Sequence, residues 1–485
     1  MVKLCMGFEV HQPFRLNPSF DPAMIKKGRK ASESYFSDQN RIILRRVCEK
    51  CYVPASRLML ELLDEGFKCA FSLSGTVVEQ LGRWSPDVLD LFRDLAQHPN
   101  AEVLAQTYYH SIASLFDDLS EFEAQVRLHQ RLMKDEFGAR PQVLENTEFI
   151  FNNAVAGAAA AMGFKAVYTE GVDRVLGWRS PNFVYSCRGT KLLMRNFPLS
   201  DDIAFRFTNR QWPEWPLTAD KYASWVAASP GDYVNVFIDY ETFGEHQWAD
   251  TGIMQFLEWL PRECEARGVE FATPSEVAYL PAADELSVEE TISWADVEKD
   301  HSAWQGNAIQ HTALREVQCV RPLINDLDIW RYLQTSDHFY YMASKFGSCG
   351  EVHSYFSPDA CTNFEAFDSY MRILSDFMMR SARAVRPKDV AAELRCMPPE
   401  KAFRFHNRAA YTGFTAYSID EFGDMLNYVP SDSVAYHVER GDFPRWARAV
   451  LGDEKLADEL GHCQSRIELI EAVDRRRKEL WARLK

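Results

Sequence analysis

Short apolar runs alternate with longer segments of helical periodicity over roughly the first 275 residues. Ala55–Leu63, Val88–Leu95 and Phe122–Met133 show the helical pattern. Several of the short runs are almost continuously apolar, which is typical of parallel strands buried on both faces. The alternation predicts a βα barrel or a doubly wound sheet. The predicted strands are Leu4–Val10, Cys69–Leu73, Val103–Gln106, Val143–Thr147, Ala166–Thr169, Leu192–Phe197, Val234–Ile238 and a short Phe271–Thr273.

Polar residues follow most of these strands directly. In βα barrels the active site forms at the carboxyl ends of the strands. We therefore expect a functional site where these side chains meet. They are His11-Gln12-Pro13, Ser74-Gly75-Thr76, His110, Glu148, Glu170, Asp239 and Glu241.

The character of the chain changes twice after the last predicted strand. Residues 280–392 are mainly helical and contain aromatic stretches such as Trp330–Leu333 and Asp337–Met342. Pro398-Pro399 then precedes a strand-like run, a turn and highly charged helices. We predict a catalytic barrel at 1–278, a helical domain completing the cleft at 279–392, and a small module of unknown function at 397–485.

Charge and cysteine content narrow the class of protein. The formal net charge is −16, which disfavours nucleic acid and anionic membranes as partners but does not oppose a neutral sugar. The chain shows no targeting segment and no run of about 18 apolar residues. Its 11 scattered cysteines, including the isolated pair Cys48 and Cys51, resemble reduced thiols. We therefore expect a cytoplasmic protein that spans no membrane.

Two acidic motifs are candidates for catalysis. Strand alternation puts Glu145 and Thr147 on one face and Glu148 on the other, and this parity leaves open which acid enters the site. The position nearest the strand end favours Glu148. The second motif places Asp239 and Glu241 at alternate positions after an apolar strand. Two carboxyls from different strands are the minimum for glycoside hydrolysis, and their separation decides between retention and inversion.

Other side chains suggest either a sugar or a metal. His11 and Gln12 suit sugar hydroxyls. His11, His110, Asp239 and His246 could instead hold a metal, but they lack the local spacing of common metal sites. Tryptophan rings stack on pyranose faces as well as packing in cores. Those in or near loops or the helical region are Trp212, Trp215, Trp248, Trp294, Trp304 and Trp330.

Six stretches, in order over residues 1 to about 390, resemble glycoside hydrolase family 57 and within it the archaeal α-amylase-like group. This set is far more specific than any single motif. The stretches are Gly7–Phe14, Phe71–Glu79, Glu145–Ile150, Phe237–His246, Thr273–Val277 and Thr335–Met342.

The resemblance implies an α/β fold: a distorted (β/α)7 barrel with a helical domain packed against it, beside a small C-terminal α+β module. It implies a retaining mechanism without metal or cofactor, with Glu148 as nucleophile and Asp239 as general acid/base. The substrate-binding residues predicted with them are His11, Gln12, Glu79, His110, Glu241, His246, Trp248, Trp304, Asp337 and His338.

The predicted activity is cleavage of α-1,4-glucans or maltooligosaccharides through a covalent glycosyl-enzyme, as in an α-amylase. A 4-α-glucanotransferase or branching enzyme on the same mechanism is the first alternative, because transfer differs only in the acceptor. A metal-dependent polysaccharide deacetylase-like enzyme and a non-catalytic glucan-binding protein are the others.

Overall fold

The computed structural model describes residues 2–25, 31–344, 362–382 and 388–484. Its strands are β1 (Lys3–Val10), β2 (Cys69–Leu73), β3 (Ala101–Val103), β4 (Val143–Glu145), β5 (Ala166–Glu170), β6 (Tyr185–Cys187), β7 (Thr190–Arg195), β8 (Tyr233–Asp239), β9 (Glu270–Phe271), β10 (Phe403–His406) and β11 (Tyr411–Ala416).

Helices separate most of the strands and fill the second half of the chain. They are Ser32–Tyr35, Gln39–Val47, Val53–Asp64, Gly75–Trp84, Pro86–Gln97, Ser120–Phe137, Asn153–Ala161, Asp173–Leu176, Phe197–Ala204, Ala219–Ala228, Ile253–Glu265, Pro274–Ala278, Ser302–Gln305, Ala308–Cys319, Leu327–Tyr332, Ser336–Tyr340, Asn363–Ala382, Lys388–Glu393, Ile419–Tyr428, Ser431–Arg440, Asp442–Trp446, Glu454–His462 and Arg466–Leu484.

The strands form a closed seven-stranded parallel barrel within the described residues. One sheet has the order β3-β2-β1-β8 and the other β4-β5-β7-β6. A parallel bridge between Ala105 and Leu144 joins the two sheets on one side. On the other side the Asn196 N–H donates to the Asn235 carbonyl at 2.8 Å, between β7 and β8. The predicted (β/α)7 barrel is confirmed, and β9 adds a short parallel pair to the start of β1.

Two local features differ from the sequence-based strands. β6, which pairs antiparallel with β7, was missed because three residues are too few to show a period. Arg188 and Gly189, both at positive φ, make the tight turn between these strands. β4 ends at Glu145 rather than Thr147, because Thr147–Phe149 forms a 3-10 turn.

The barrel interior is apolar at one end and polar at the other. The apolar end packs Cys5, Ala70, Val143, Leu193 and Phe237 into one buried cluster. Gly7 lies opposite Phe237, and a Cβ there would come within 2.4 Å of the ring, so only glycine fits. At the carboxyl ends of the strands the buried side chains are Glu9, Ser72, Gln106 and Glu145. This polar end supports the candidate site.

The helical region covers that end of the barrel and shares a core with the last hundred residues. One apolar cluster extends from Ala303 to Leu480 and includes Tyr35, Ile112 and Ile150 from barrel loops. The hairpin of β10 and β11 begins the predicted α+β module. The domain limits at residues 278, 392 and 397 remain predictions. The apolar cluster continues across the limit at 397. No helix in the described part of the chain is long and apolar enough to cross a membrane.

Candidate active site

The backbone turn after β4 orients Glu148. Glu148 has φ 59° and Phe149 has φ 53°, in the left-handed region that is uncommon for such residues. Local contacts hold this turn. The Trp294 N–H donates to the Glu148 carbonyl at 3.2 Å, and the Phe149 ring packs edge-on against Trp294 and Phe237, each with a centroid distance of 4.9 Å.

Three groups contact the Glu148 carboxylate. Trp294 Nε1 donates to Oε2 at 2.7 Å, and Ser336 Oγ donates to Oε1 at 2.9 Å. His110 Nε2 lies 3.5 Å from Oε1. Burial raises the pKa of Glu148, but His110 and the Trp294 hydrogen bond outweigh burial and hold that pKa below its ordinary value. Glu148 is therefore ionised at neutral pH.

The hydrogen bonds of His110 indicate its protonation. Gln106 Nε2 donates to Glu9 Oε1 at 2.9 Å and to Ser72 Oγ at 2.8 Å, so the Gln106 amide oxygen faces His110 Nδ1 at 3.0 Å as acceptor. Burial lowers the pKa of His110, yet its hydrogen bond to Glu148 and the charges of Glu148 and Glu145 raise it above the usual value. An imidazolium at His110 satisfies both ring nitrogens.

His11 stacks on His110 and is neutral. The ring centroids lie 4.0 Å apart at 23°. Burial and the adjacent charge of His110 lower the pKa of His11 to about 4. Its Nε2 then donates to Asp337 Oδ2 at 3.0 Å, and Nδ1 accepts from Ser74 Oγ at 2.8 Å. The pKa of Asp337 is held well below its ordinary value, because its contacts with His11 outweigh its burial.

Asp239 ends β8 and pairs in register with Glu9 of β1, which places it at the mouth of the barrel. Burial raises the pKa of Asp239 to about 7, and the negative charge of Glu148 adds to this effect. Arg195 and His110 act in the opposite direction. At neutral pH Glu148 is thus a carboxylate, whereas a pKa of about 7 keeps a substantial fraction of Asp239 protonated.

Three further acids at the strand ends are enclosed by protein. Glu145 accepts from Ser72 Oγ at 3.0 Å and lies beside Glu9, whose pKa burial and the Glu145 charge raise well above its usual value. Glu170 has no exposed surface and accepts from Arg195 at 3.0 Å and Lys299 at 3.3 Å. Both of these acids are satisfied inside the barrel.

Glu241 is the third enclosed acid and is only 5% exposed. Tyr52 Oη donates to it, as does Gln12 Nε2 at 3.4 Å. Burial and the charge of Asp239 raise the pKa of Glu241 to about 8. By contrast the Glu148 side chain is 20% exposed, and Asp239 is half-buried. Among the strand-end acids that the sequence offered, the structure leaves Glu148 and Asp239 accessible.

The structure brings most of the predicted substrate-binding residues together. His11, His110 and Asp337 lie around Glu148, and Gln12 contacts Glu241. Glu79 is half-buried on the helix Gly75–Trp84 and accepts hydrogen bonds from Tyr108 and Tyr332.

The other four predicted contacts lie differently. Trp304 is 0% exposed within the apolar cluster of the helical region, so its assignment as a substrate contact is wrong for this structure. His338 is buried against Tyr370. His246 is half-buried, and its N–H donates to the Glu241 carbonyl at 2.9 Å. Trp248 is 60% exposed, with Lys50 Nζ over its ring at 5.0 Å.

Three side chains of the site were not among the predicted residues. Trp294 and Ser336 bind the Glu148 carboxylate, and Tyr52 binds Glu241. Ser336 adjoins Asp337 inside a recognised motif, so a motif-wide assignment would have included it. Trp294 was named only as one of six rings that suit sugars, not as a partner of Glu148. Tyr52 comes from a helical segment whose sequence carries no pattern that points to the site. In the described part of the chain, no group of three or more His, Cys, Asp or Glu residues could hold a metal ion.

A βα barrel with two accessible carboxyls at its strand ends, one with a lowered pKa and one with a raised pKa, has the groups that a glycoside hydrolase requires. The family model described as "Glycosyl hydrolase family 57" matches residues 5–293. A relative from Methanocaldococcus jannaschii, described as a "Putative alpha-amylase", is 44% identical over 395 residues, which cover 77% of this chain and 84% of that protein. The chain belongs to glycosyl hydrolase family 57 and is a glycoside hydrolase.

Solved structures show the same fold. A GH57-type branching enzyme from Pyrococcus horikoshii superposes with a TM-score of 0.58 at 13% identity, covering 79% of this chain and 90% of that one. An exo-type maltose-forming amylase from Pyrococcus sp. ST04 superposes with a TM-score of 0.53 at 11% identity, covering 97% and 91%. The fold is thus common to a transferring and a hydrolysing enzyme.

Proposed function

We propose that this protein is a retaining hydrolase of α-1,4-glucans, with Glu148 as nucleophile and Asp239 as general acid/base. The observation that carries the proposal is that two accessible carboxyls lie at the strand ends in surroundings that shift their pKa values in opposite directions. An ionised carboxylate and a protonated acid that share one cleft are what double displacement requires at the start of the cycle.

The first step forms a glycosyl-enzyme. Glu148 attacks the anomeric carbon while the bond from that carbon to the leaving oxygen breaks. Asp239 gives its proton to that oxygen, which departs as a hydroxyl of the released chain. The Trp294, Ser336 and His110 groups hold the Glu148 carboxylate in place for attack.

The second step follows from the electrostatics of the first. The negative charge of Glu148 helps to raise the pKa of Asp239. Once Glu148 is an uncharged ester, this effect disappears and the pKa of Asp239 falls. Asp239 is then suited to act as a base that takes a proton from water, and the hydroxide oxygen displaces Glu148 to give a product of retained configuration.

Product stereochemistry and product length test this proposal. With maltoheptaose, proton NMR at early times should show the α-anomer first. The β-anomer first would overturn the retaining mechanism. With maltotriose alone, we expect shorter products only.

Products longer than the substrate would establish the second candidate, a 4-α-glucanotransferase or branching enzyme on the same residues. The fold shared with the Pyrococcus horikoshii branching enzyme favours keeping this candidate. A change in the ratio of α-1,6 to α-1,4 linkages, measured by NMR on amylose, separates branching from linear transfer.

A further inference from the structure

A cavity of about 790 Å³ lies among the helices Ser32–Tyr35, Gln39–Val47, Gly75–Trp84 and Leu327–Tyr332. Its volume is within the range of roughly 300–1,000 Å³ that is typical of ligand pockets. Its lining includes Glu79 but neither Glu148 nor Asp239. A substrate that fills only the catalytic position would therefore not occupy this cavity.

Three segments that build the catalytic site also build the cavity. Phe14 lines it and directly precedes Arg15, whose guanidinium donates to Gln12 Oε1 at 3.3 Å. Glu79 lies on helix Gly75–Trp84, which begins beside Ser74, the partner of His11. Tyr332 leads into the segment that carries Ser336 and Asp337. The cavity and the candidate site are thus built on the same three segments of the chain.

Four aromatic rings form one wall of this cavity. Phe14 is at their centre, with ring centroids 5.2 Å from Tyr332, 5.8 Å from Phe36 and 6.0 Å from Trp84. Phe14 is nearly buried, whereas Phe36, Trp84 and Tyr332 are half-buried and face the cavity. Flat, partly exposed rings of this kind suit stacking against the apolar faces of pyranose rings.

The cavity is lined by equal numbers of positively and negatively charged groups. Three guanidinium groups face three carboxyls, so the lining is formally neutral if all are ionised. Burial raises the pKa of Glu79, which accepts from Tyr108 Oη at 2.7 Å. Such a mixture of donors and acceptors suits neutral hydroxyl groups better than an anion, which would need an excess of positive charge. The six groups are Arg41, Arg45, Arg83, Glu33, Asp38 and Glu79.

We infer that this cavity is a distal subsite that binds glucosyl units of an α-glucan chain away from the scissile bond. The inference rests on the proposed function and adds to it a preference for longer chains. Trp84 would supply the stacking platform, and Arg41 and Glu79 would bind hydroxyl groups.

The test compares kcat/KM for maltotriose and maltoheptaose in the full-length protein. We expect Trp84→Ala to lower the value for maltoheptaose by roughly three- to tenfold and that for maltotriose by less than about twofold, because only the longer chain reaches the ring. Arg41→Ala, at an exposed position where folding is not at risk, should lower the maltoheptaose value by about twofold or more.

Trp259→Ala is the matched control. Trp259 also stacks with an arginine, with Arg262 Cζ 5.5 Å from its ring compared with 5.3 Å for Arg83 and Trp84. It lies on the outer helix Ile253–Glu265 and does not line the cavity. This variant should keep the wild-type ratio between the two substrates.

The outcomes separate the inference from the proposed function. If the wild type cleaves maltoheptaose and both cavity variants keep its substrate ratio while folded, the distal subsite is wrong. If the wild type cleaves neither substrate, the proposed function fails, and calorimetric titration of maltoheptaose then decides the inference. Weaker binding in Trp84→Ala than in Trp259→Ala would support it, and equal binding would overturn it.

Discussion

Two pairs of carboxyl groups lie at the carboxyl ends of the barrel strands, one enclosed by protein and the other open to solvent. The inner pair, Glu9 and Glu145, is buried, with Ser72 and Gln106 as its partners. The outer pair, Glu148 and Asp239, retains access to solvent. His110 lies between the pairs, 3.5 Å from an oxygen of Glu9 and 3.5 Å from an oxygen of Glu148.

The difference between the pairs shows how one barrel keeps four acids close together. In the inner pair, burial and the charge of Glu145 raise the pKa of Glu9 well above its usual value, and burial raises the pKa of Glu145 as well. In the outer pair, His110 stabilises the charge of Glu148, and that charge in turn favours a proton on Asp239. Only the outer pair is open to a substrate, and only there do the two pKa values shift in opposite directions.

The largest expected effect comes from the ionised member of the outer pair. Glu148→Ala should lower kcat on maltoheptaose by a factor on the order of 10⁵, because the nucleophile is lost. With an activated aryl α-maltoside and azide, this variant should form a β-glycosyl azide by a single displacement. An α-azide, or residual activity close to wild type, would contradict the assignment.

Asp239→Ala should have the next largest effect, about 10²- to 10⁴-fold on maltoheptaose. An aryl substrate that needs no protonation should lose much less in its first step. Azide should now give an α-glycosyl azide, because the glycosyl-enzyme still forms on Glu148. Identical azide products from the two variants would show that the two carboxyls do not have distinct roles.

Much of this arrangement could be predicted from the sequence. Apolar runs gave the seven parallel strands, since their burial on both faces leaves a simple pattern. A position after those strands singled out Glu145, Glu148, Glu170, Asp239 and Glu241, but it could not choose among these five acids. The resemblance to the family made that choice. In the structure, a left-handed turn orients Glu148, and other side chains enclose Glu145 and Glu241.

Contacts from distant parts of the chain were beyond the sequence. Trp294 reaches Glu148 across 146 positions, and Tyr52 reaches Glu241 across 189. A local sequence pattern indicates which face of a helix or strand is buried, but not which distant residues pack against that face. Trp304 shows the same limit, since an aromatic ring near a cleft and one in a core look alike in sequence.

The pH profile tests the protonated member of the outer pair. Asp239 must hold its proton, so kcat/KM should fall about tenfold between pH 6 and pH 8, as the pH passes a pKa of about 7. On the acid side, activity should persist to below the ordinary pKa of a glutamate, because that of Glu148 is lowered. The measurement is kcat/KM on maltoheptaose from pH 3.5 to 9 at constant ionic strength. A flat profile between pH 6 and 8 would exclude Asp239 as the acid.

Substitution of the two members of the inner pair should change kcat/KM by different amounts. Glu9→Gln replaces a protonated carboxyl with an amide that can still donate to Glu145, so kcat/KM should stay within about twofold. Glu145→Gln removes a charge that raises the pKa of His110. It should lower kcat/KM at pH 7 by about fivefold, because His110 loses its proton at lower pH. If Glu9→Gln lowered kcat/KM more than Glu145→Gln does, the proton would lie on Glu145 rather than on Glu9.

The smallest expected effect is on stability and comes from the same proton on Asp239. An unfolded aspartate has a pKa near 3.9, whereas that of folded Asp239 is about 7. Between these values folding takes up a proton, so this group reduces stability as the pH rises from 4 to 7, and the full cost remains at pH 8. Asp239→Asn has no such cost. The change in Tm that it causes should therefore be about 1–3 °C more positive at pH 8 than at pH 4.

Asp135→Asn is the control, on the exposed side of helix Ser120–Phe137. It makes the same chemical change away from the barrel, and the change in Tm that it causes should be the same at both pH values. An equal shift of Tm at both pH values for Asp239→Asn would mean that the acid is ionised in the folded protein, and the outer pair would then carry two negative charges.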